Sequence, residues 1–318
     1  MKVFVAGATG AIGRPVVRAL RKRGHAVAGL TRDPGKRALL ESLGAEALVT
    51  DALDADGLAR AVAQSRATHV VQLLTALPPE GPLRASDLAA TNALRTRGTE
   101  NVIRAAVAAG VRRLVAESYM GVYGAADYDR PQDEEALAEA PEGGPFRDTV
   151  HTLRAHENRL REAREAGRIE TVVLRFGAFY GPEVASTVAL ARRLRAGRMF
   201  APRSARGVVS FIHVEDAAKA VVAALEHPAP GALYNVVDDR PMLLTEAFTE
   251  MAAAFGARAP RSLPLWLVRL VAPVPAIAAQ ARLPLSNARA RRELGWSPAF
   301  PTLADGLRDV REKLPGAA

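Results

Sequence analysis

KVFVAGATGAIG, residues 2–13, is an apolar run that ends in three glycines spaced three apart, Gly7, Gly10 and Gly13. Lys2–Ala6 reads as a short strand, and Gly13–Arg23 carries apolar residues at helical spacing. A strand, a glycine loop and a helix in that order open a βαβ unit. The glycines let the chain turn tightly, and they let backbone N–H groups approach a pyrophosphate at the positive end of the helix. Gly7, Thr9, Gly10, Ala11, Ile12 and Gly13 are therefore the expected cradle of a dinucleotide.

Outward from that unit, short apolar runs alternate with amphipathic ones. Ala26–Leu30, Ala47–Val49, Thr68–Leu74, Leu114–Glu117 and Glu170–Arg175 read as strands. Lys36–Leu43, Asp56–Gln64, one long run Leu88–Ala109, and Thr149–Ala166 read as helices. Such alternation implies right-handed crossovers and a parallel sheet, and strands apolar throughout imply helices on both faces. The acidic, Pro- and Gly-containing stretch 125–148 reads as a surface insertion. Beyond it come a helix over 184–196, a strand over 208–212, a helix over 214–225 and a strand over 232–236; the rest reads as mainly helical. The fold class expected is α/β, a Rossmann-like doubly wound parallel sheet with a smaller, mainly helical carboxy-terminal substrate lobe. We expect a dinucleotide-binding domain over 1–180 and a substrate lobe over 181–318, interleaved with the core.

The end of the second strand bears on which dinucleotide binds. An acid there would hydrogen-bond the ribose hydroxyls of NAD, whereas an arginine favours the 2′-phosphate of NADP. This chain has Leu30-Thr31-Arg32, with Lys36 and Arg37 close behind, and Arg14 after the third glycine is expected to reach the same phosphate. We expect NADP(H), with dual binding as the alternative should Arg32 be a solvated charge. Asp51 and Ala52 are expected near the adenine. Leu74, Thr75 and Ala76 are expected along the path to the nicotinamide ribose, and Phe176 as a weak contact.

Composition narrows the function classes. The chain has 318 residues, 49% hydrophobic and 24% charged, enough for a large α/β domain with or without a lobe. A mean hydropathy of +0.00 excludes a predominantly membrane-embedded chain. Cysteine is absent, which excludes disulfides and thiolate chemistry, and the six histidines lack ligand spacing, so no metal is expected. The net charge of +9 is spread along helical segments among acids, and it reads as a solvated surface rather than a nucleic-acid interface. The most apolar later stretch, Leu263–Ala281, is broken by Arg269 and by Pro264, Pro273 and Pro275. We expect no targeting or membrane segment, a cytoplasmic location and a small-molecule carbonyl partner; the sequence does not give the oligomeric state.

Six motifs carry a resemblance: GATGAIG at 7–13, SYMGVYG at 118–124, LRFGAFYGP at 174–182, FIHVEDAA at 211–218, YNVVDD at 234–239 and RRELGWSP at 291–298. In this order they resemble the extended short-chain dehydrogenases/reductases of the NAD-dependent epimerase/dehydratase type. The resemblance implies a Rossmann core and a carboxy-terminal substrate lobe. Members normally use a Tyr-x-x-x-Lys pair on the helix after the fifth strand, with a Ser or Thr at that strand's end. The Lys cation lowers the Tyr pKa, so the phenol can exchange a proton with a substrate oxygen near neutral pH. With Glu157 fixing the frame, the Tyr position falls on Thr149 and the Lys position on Leu153. The Ser position falls on Tyr119, beside Ser118.

The usual proton relay is therefore missing, as in atypical members similar to the ketoreductases that act on angucyclinone-type aromatic polyketides in antibiotic pathways. The resemblance implies NADPH-dependent reduction of a carbonyl on a bulky apolar or aromatic small molecule, with Ser118, Tyr119 or a hydroxyl of the substrate giving the proton. A non-catalytic NADP(H) sensor and a nucleotide-sugar epimerase or dehydratase are the alternatives. His151, His156 and His213 are expected to be packed or surface residues. The insertion 125–148 and the segment 262–284 are expected to border the substrate as a lid, with Leu263, Leu265, Trp266 and Leu267 as an apolar wall.

Overall fold

Strand β1 (Lys2–Ala6) is buried on both faces, which suits an interior position in a sheet. The computed structural model, which describes residues 1–227 and 231–314, pairs β1 in parallel with β2 (Ala26–Thr31) and β4 (His69–Gln72). Strand β3 (Glu46–Val49) closes one edge against β2, and β5 (Arg113–Tyr119) and β6 (Glu170–Phe176) extend the other side. Helix α1 (Gly13–Lys22) follows β1, the short α2 (Arg37–Ser42) precedes β3, and α3 (Ala55–Ser65) follows it.

The alternation of side chains along β1 sorts the core. Val3 and Val5 join the cluster under α1, whereas Phe4 and Ala6 join the cluster under α3. Fully burying side chains the size of Val or Phe contributes roughly 1.5–3 kcal/mol each.

The run expected as one helix over 88–109 has three parts: α4 (Ala89–Ala93), a π-helical turn over Leu94–Gly98, and α5 (Thr99–Ala108). Threonines cause competition for the carbonyl ladder here. Thr96 Oγ1 donates to the carbonyls of Asn92 (3.0 Å) and Ala93 (3.2 Å), and Thr99 Oγ1 to that of Arg95 (2.8 Å). Helix α6 (Arg147–Glu165) packs beside α5 on the same face of the sheet.

After β6 the chain makes β7 (Ala178–Tyr180), α7 (Ala185–Arg195), β8 (Phe200–Pro202), β9 (Val208–Val209) and β10 (Phe211–His213). The expected single strand over 208–212 is split at Ser210, whose Oγ bonds both Leu283 O and Leu285 N. Helix α8 (Val214–Glu226) then returns to pack against α1, and β11 (Leu233–Val236) completes a seven-stranded sheet beside β6. A boundary at residue 180 thus leaves one strand of the sheet and helices that cover it on its far side.

The remaining segments are β12 (Met242–Leu243), α9 (Leu244–Ala254), β13 (Arg261–Leu263), α10 (Leu265–Val271), α11 (Pro273–Ala278), α12 (Ala288–Leu294) and α13 (Leu303–Lys313). Of these, β12, α9 and α13, with the loop after β5 and the stretch after α11, build a third cluster around Tyr123, Tyr180 and Phe211, whereas α12 joins the cluster under α1. The insertion 125–148 is mostly irregular and is joined to the stretch after α11. Arg282 N donates to Ala126 O (2.8 Å), Tyr128 N to Arg282 O (3.1 Å) and Gln132 N to Pro284 O (3.0 Å). Trp266 of the expected wall is 67% exposed. Among the described residues no helix is long and apolar enough to cross a membrane.

Candidate active site

The loop between β1 and α1 is built for close approach. Gly7 has φ +87°, and a Cβ there would lie 2.4 Å from Leu73 O. A Cβ at Gly13 would lie 2.0 Å from Gly7 O. Gly10 N donates to Gly7 O (3.0 Å), whereas the backbone N–H groups of Ala11 and Ile12 have no acceptor among the described residues. Helix α1 has no side-chain cap at Ile12 and no acid in its first turn. Thr9 and Ala11 are half-buried, Gly10 is exposed, and the Ile12 side chain is buried in the core. Free donors, a positive helix end and no carboxylate in the helix's own first turn fit a pyrophosphate.

At the end of β2, Thr31 is buried and no acid stands at that position. The nearest one, Asp33, is occupied as a cap, with Oδ1 accepting from Gly35 N (2.9 Å). Arg32 and Lys36 are exposed and make no ion pair among the described residues, and Arg37 reaches Ala47 O (3.3 Å). Arg14 does not join them, contrary to the sequence expectation. Its Nη2 donates to Glu183 O (2.9 Å) and its Nη1 faces Glu183 Oε2 (3.4 Å), because the segment after β7 brings that carboxylate to α1.

Asp51 is exposed, with Oδ1 accepting from Leu53 N (2.8 Å), and Ala52 is buried, with its carbonyl accepting from Asn101 Nδ2 (3.0 Å). Leu74 is half-buried and Thr75 exposed, and Ala76 N donates to Thr91 Oγ1 (2.9 Å). Phe176 corrects the reading as a cofactor contact. Its side chain is fully buried in the core under α1 and α8, tilted against Phe179 at 5.2 Å between centroids.

At the end of β5, hydrogen bonding separates the two proton-donor candidates. Ser118 is fully buried, and its Oγ donates to Glu157 Oε1 (2.6 Å). A hydroxyl has one proton, and here it is committed to a carboxylate, so the geometry removes Ser118 as a donor to substrate. Tyr119 is half-buried, packs against the cluster that contains Leu153 of α6, and its hydroxyl has no hydrogen-bond partner among the described residues. Burial pushes its pKa up, and the charge of Arg95 opposes that. Gly121 lies between the Tyr119 and Phe146 rings; a Cβ there would be 2.9 Å from each.

Thr149 and Leu153, at the two relay positions, are both buried, and Thr149 Oγ1 accepts from Asn92 Nδ2 (3.3 Å). His156 is sealed between α6 and α5, with Nδ1 2.7 Å from Thr99 Oγ1, and burial lowers its pKa to about 4. His213 is buried as the cap of α8, accepting from Glu215 N (3.3 Å). His151 is exposed on α6.

Two residues escaped sequence reasoning. Arg95, on the π turn, is only 7% exposed. Glu117, half-buried on β5, has its pKa pushed up by burial to about 7, with Arg95 opposing. The available signal was a charge within the apolar run LVAESY of a strand expected to be covered on both faces.

The NAD dependent epimerase/dehydratase family matches residues 3–237. A 3-diazoavenalumate denitrifying reductase of a Streptomyces species is 39% identical over 319 residues, covering 96% of this chain and 99% of that protein. A 2-alkyl-3-oxoalkanoate reductase of Stenotrophomonas maltophilia is 29% identical, covering 81% and 76%. Among solved structures, the UDP-glucose 4-epimerase of Thermus thermophilus in complex with NAD superposes with a TM-score of 0.82 at 25% identity, over 100% of both chains.

Proposed function

Because the chain belongs to the NAD-dependent epimerase/dehydratase family, we propose that it is an NADP(H)-dependent reductase of a small aromatic molecule, working without the Tyr/Lys relay. The observations that support this reading are a tightly turned glycine loop with free N–H groups at the start of α1 and relay positions occupied by buried Thr149 and Leu153. A reduced nicotinamide supplies hydride when bound. The free N–H groups of Ala11 and Ile12 hold the pyrophosphate, and Arg32, with Lys36, holds the 2′-phosphate. Positioning of the acceptor does most of the catalytic work, since orientation alone is worth roughly 7–11 kcal/mol. Epimerase and dehydratase chemistry are disfavoured because each needs a proton acceptor that cycles, and no freed base stands at either relay position.

Two acceptors are compatible with so sparse a site. A carbonyl needs a proton as the alkoxide forms, and the unbonded hydroxyl of Tyr119 is the candidate donor. The second acceptor is an aryl diazonium, favoured by the name of the 39% identical relative. There hydride replaces N2, the carbon–nitrogen bond breaks, and no alkoxide awaits a proton, so a missing relay costs nothing.

NADPH fluorescence on binding, then NADPH consumption over aromatic ketones and an aryl diazonium salt, tests the proposal; a protein that neither binds nor consumes NADPH refutes it, and binding without consumption marks a sensor. Tyr119→Phe is expected to lower turnover of a ketone by about 10²–10⁴ and to leave that of the diazonium salt unchanged. Full ketone turnover by the variant would remove Tyr119 as the donor. Arg32→Ala is expected to weaken NADPH binding about 10–100-fold, the worth of a charge-assisted contact, while NADH binding changes little. Parallel loss of both would place Arg32 away from the 2′-phosphate.

A further inference from the structure

Arg95 is nine-tenths buried and has no hydrogen bond or ion pair to its guanidinium among the described residues. The other deeply buried arginines are not like this. Arg175 is held by Glu157, Tyr123 and Glu134 O, and Arg113 by Glu170 and the carbonyls of Ala224, Leu225 and His227. Burying a guanidinium with no counter-group is strongly unfavourable, so a folded protein that does so needs a compensating ligand or function. None of the Arg95 nitrogens is among the polar side-chain atoms sealed from water without a partner. The exposure that Arg95 keeps therefore includes its charged end.

Its place is set by the two contacts that flank it. Asn92, three residues before, bonds Thr149 (3.3 Å) and Thr152 (3.1 Å) of α6. Thr99, four residues after, meets His156 of the same helix (2.7 Å). The π turn that carries Arg95 lies between these two contacts and packs against α6. The titratable groups that act on it electrostatically are Glu117 and Tyr119, both at the carboxyl end of β5, and the Tyr119 phenol is neutral at physiological pH. Neither closes an ion pair with it. Burial keeps the Glu117 carboxyl partly protonated near neutral pH, so it neutralises Arg95 only in part.

We propose that Arg95 anchors an anionic oxygen of the hydride acceptor, a phenolate or a carboxylate, against the free hydroxyl of Tyr119, so that the site takes acidic aromatic molecules in preference to neutral ones. This rests on the reductase reading and narrows its substrate class. A guanidinium is suited to the task because its fork of N–H donors matches an oxyanion and stays charged at any physiological pH.

The test uses 4-hydroxy-3-nitrocinnamate, whose phenolate is coloured, titrated into the NADP⁺-saturated protein by calorimetry and absorbance. Its methyl ester keeps only the phenol, 4-methoxy-3-nitrocinnamate keeps only the carboxylate, and methyl 4-methoxy-3-nitrocinnamate has neither. The wild type is expected to bind at least one anion about tenfold or more tightly than the doubly neutral probe. The singly blocked probe that keeps this preference identifies the oxygen. Arg95→Gln is expected to abolish the preference and, if the oxygen is the phenolate, to weaken the bound probe's colour, with NADPH affinity unchanged; Arg95→Lys restores part of it. Equal binding of charged and neutral probes by the wild type, or an unchanged preference in Arg95→Gln, overturns the proposal. Should Arg95→Gln fail to fold, the wild-type probe series and Arg95→Lys still decide. Failure of the wild type to bind NADPH sinks the reductase reading instead, and the probe series on cofactor-free protein is then scored separately.

Discussion

Glu157→Leu lowers the folding free energy by about 3–5 kcal/mol, the usual cost of stranding one member of a buried ion pair. The Arg175 and Glu157 side chains are 2% and 11% exposed. Arg175 Nε and Nη2 grip the two carboxylate oxygens at 2.9 and 2.7 Å, a two-pronged geometry that loses both contacts at once. The loss spreads through a network. Ser118 loses its acceptor, while Arg175 still donates to Tyr123 (3.0 Å) and to Glu134 O (2.7 Å), and Tyr123 to Asn235 Oδ1 (2.8 Å). These residues come from β5 and the turn after it, α6, β6, β11 and the insertion 125–148, so one carboxylate ties the sheet to the segment after β5. Glu157→Gln, which keeps an acceptor oxygen, loses less. Adding Arg175→Met to Glu157→Leu recovers much of the loss, because no charge is then left buried alone. Chemical denaturation midpoints read all three. A loss under about 1 kcal/mol for Glu157→Leu would mean that the pair behaves as a surface salt bridge.

The two proton-donor candidates show where sequence reasoning stopped. A strand covered on both faces is apolar at every position, so its sequence does not say which neighbour faces which helix layer. Ser118 and Tyr119 were therefore equivalent on paper. In the fold, Ser118 is committed to Glu157 of α6, whereas the Tyr119 ring packs near Phe146 at the start of that helix with its hydroxyl unbonded. Arg95 was hidden for a related reason. In an amphipathic run it resembled Arg97 and Arg104, which are exposed, and the π turn that changes the phase of the helix has no period of its own to detect. Phe176 was misplaced because a position at a strand's end does not reveal whether its ring turns to the cleft or to the core. The glycine loop was legible because its constraint is local: the close backbone contacts that exclude a side chain lie mostly within one turn of chain.

That local constraint makes Gly13→Val the sharpest test of the site. A Cβ at Gly13 would stand 2.0 Å from Gly7 O, 2.8 Å from Ala8 C and 2.9 Å from Ala8 Cα, all backbone atoms. No rotamer change relieves such a contact, so the loop must open or the start of α1 must move. Either shift carries the N–H groups of Ala11 and Ile12 away from a common anion. Losing two or more charge-assisted hydrogen bonds weakens NADPH binding by about 100-fold or more. Gly10→Ala meets only Gly7 O, at 3.2 Å, and loses much less. Gly143→Ala, with no atom within 4 Å of the new Cβ, serves as the unaffected control. Far-ultraviolet circular dichroism separates a misshapen loop from an unfolded chain. A folded Gly13→Val protein that still binds NADPH like its parent would mean that the dinucleotide phosphates rest somewhere other than the open end of α1.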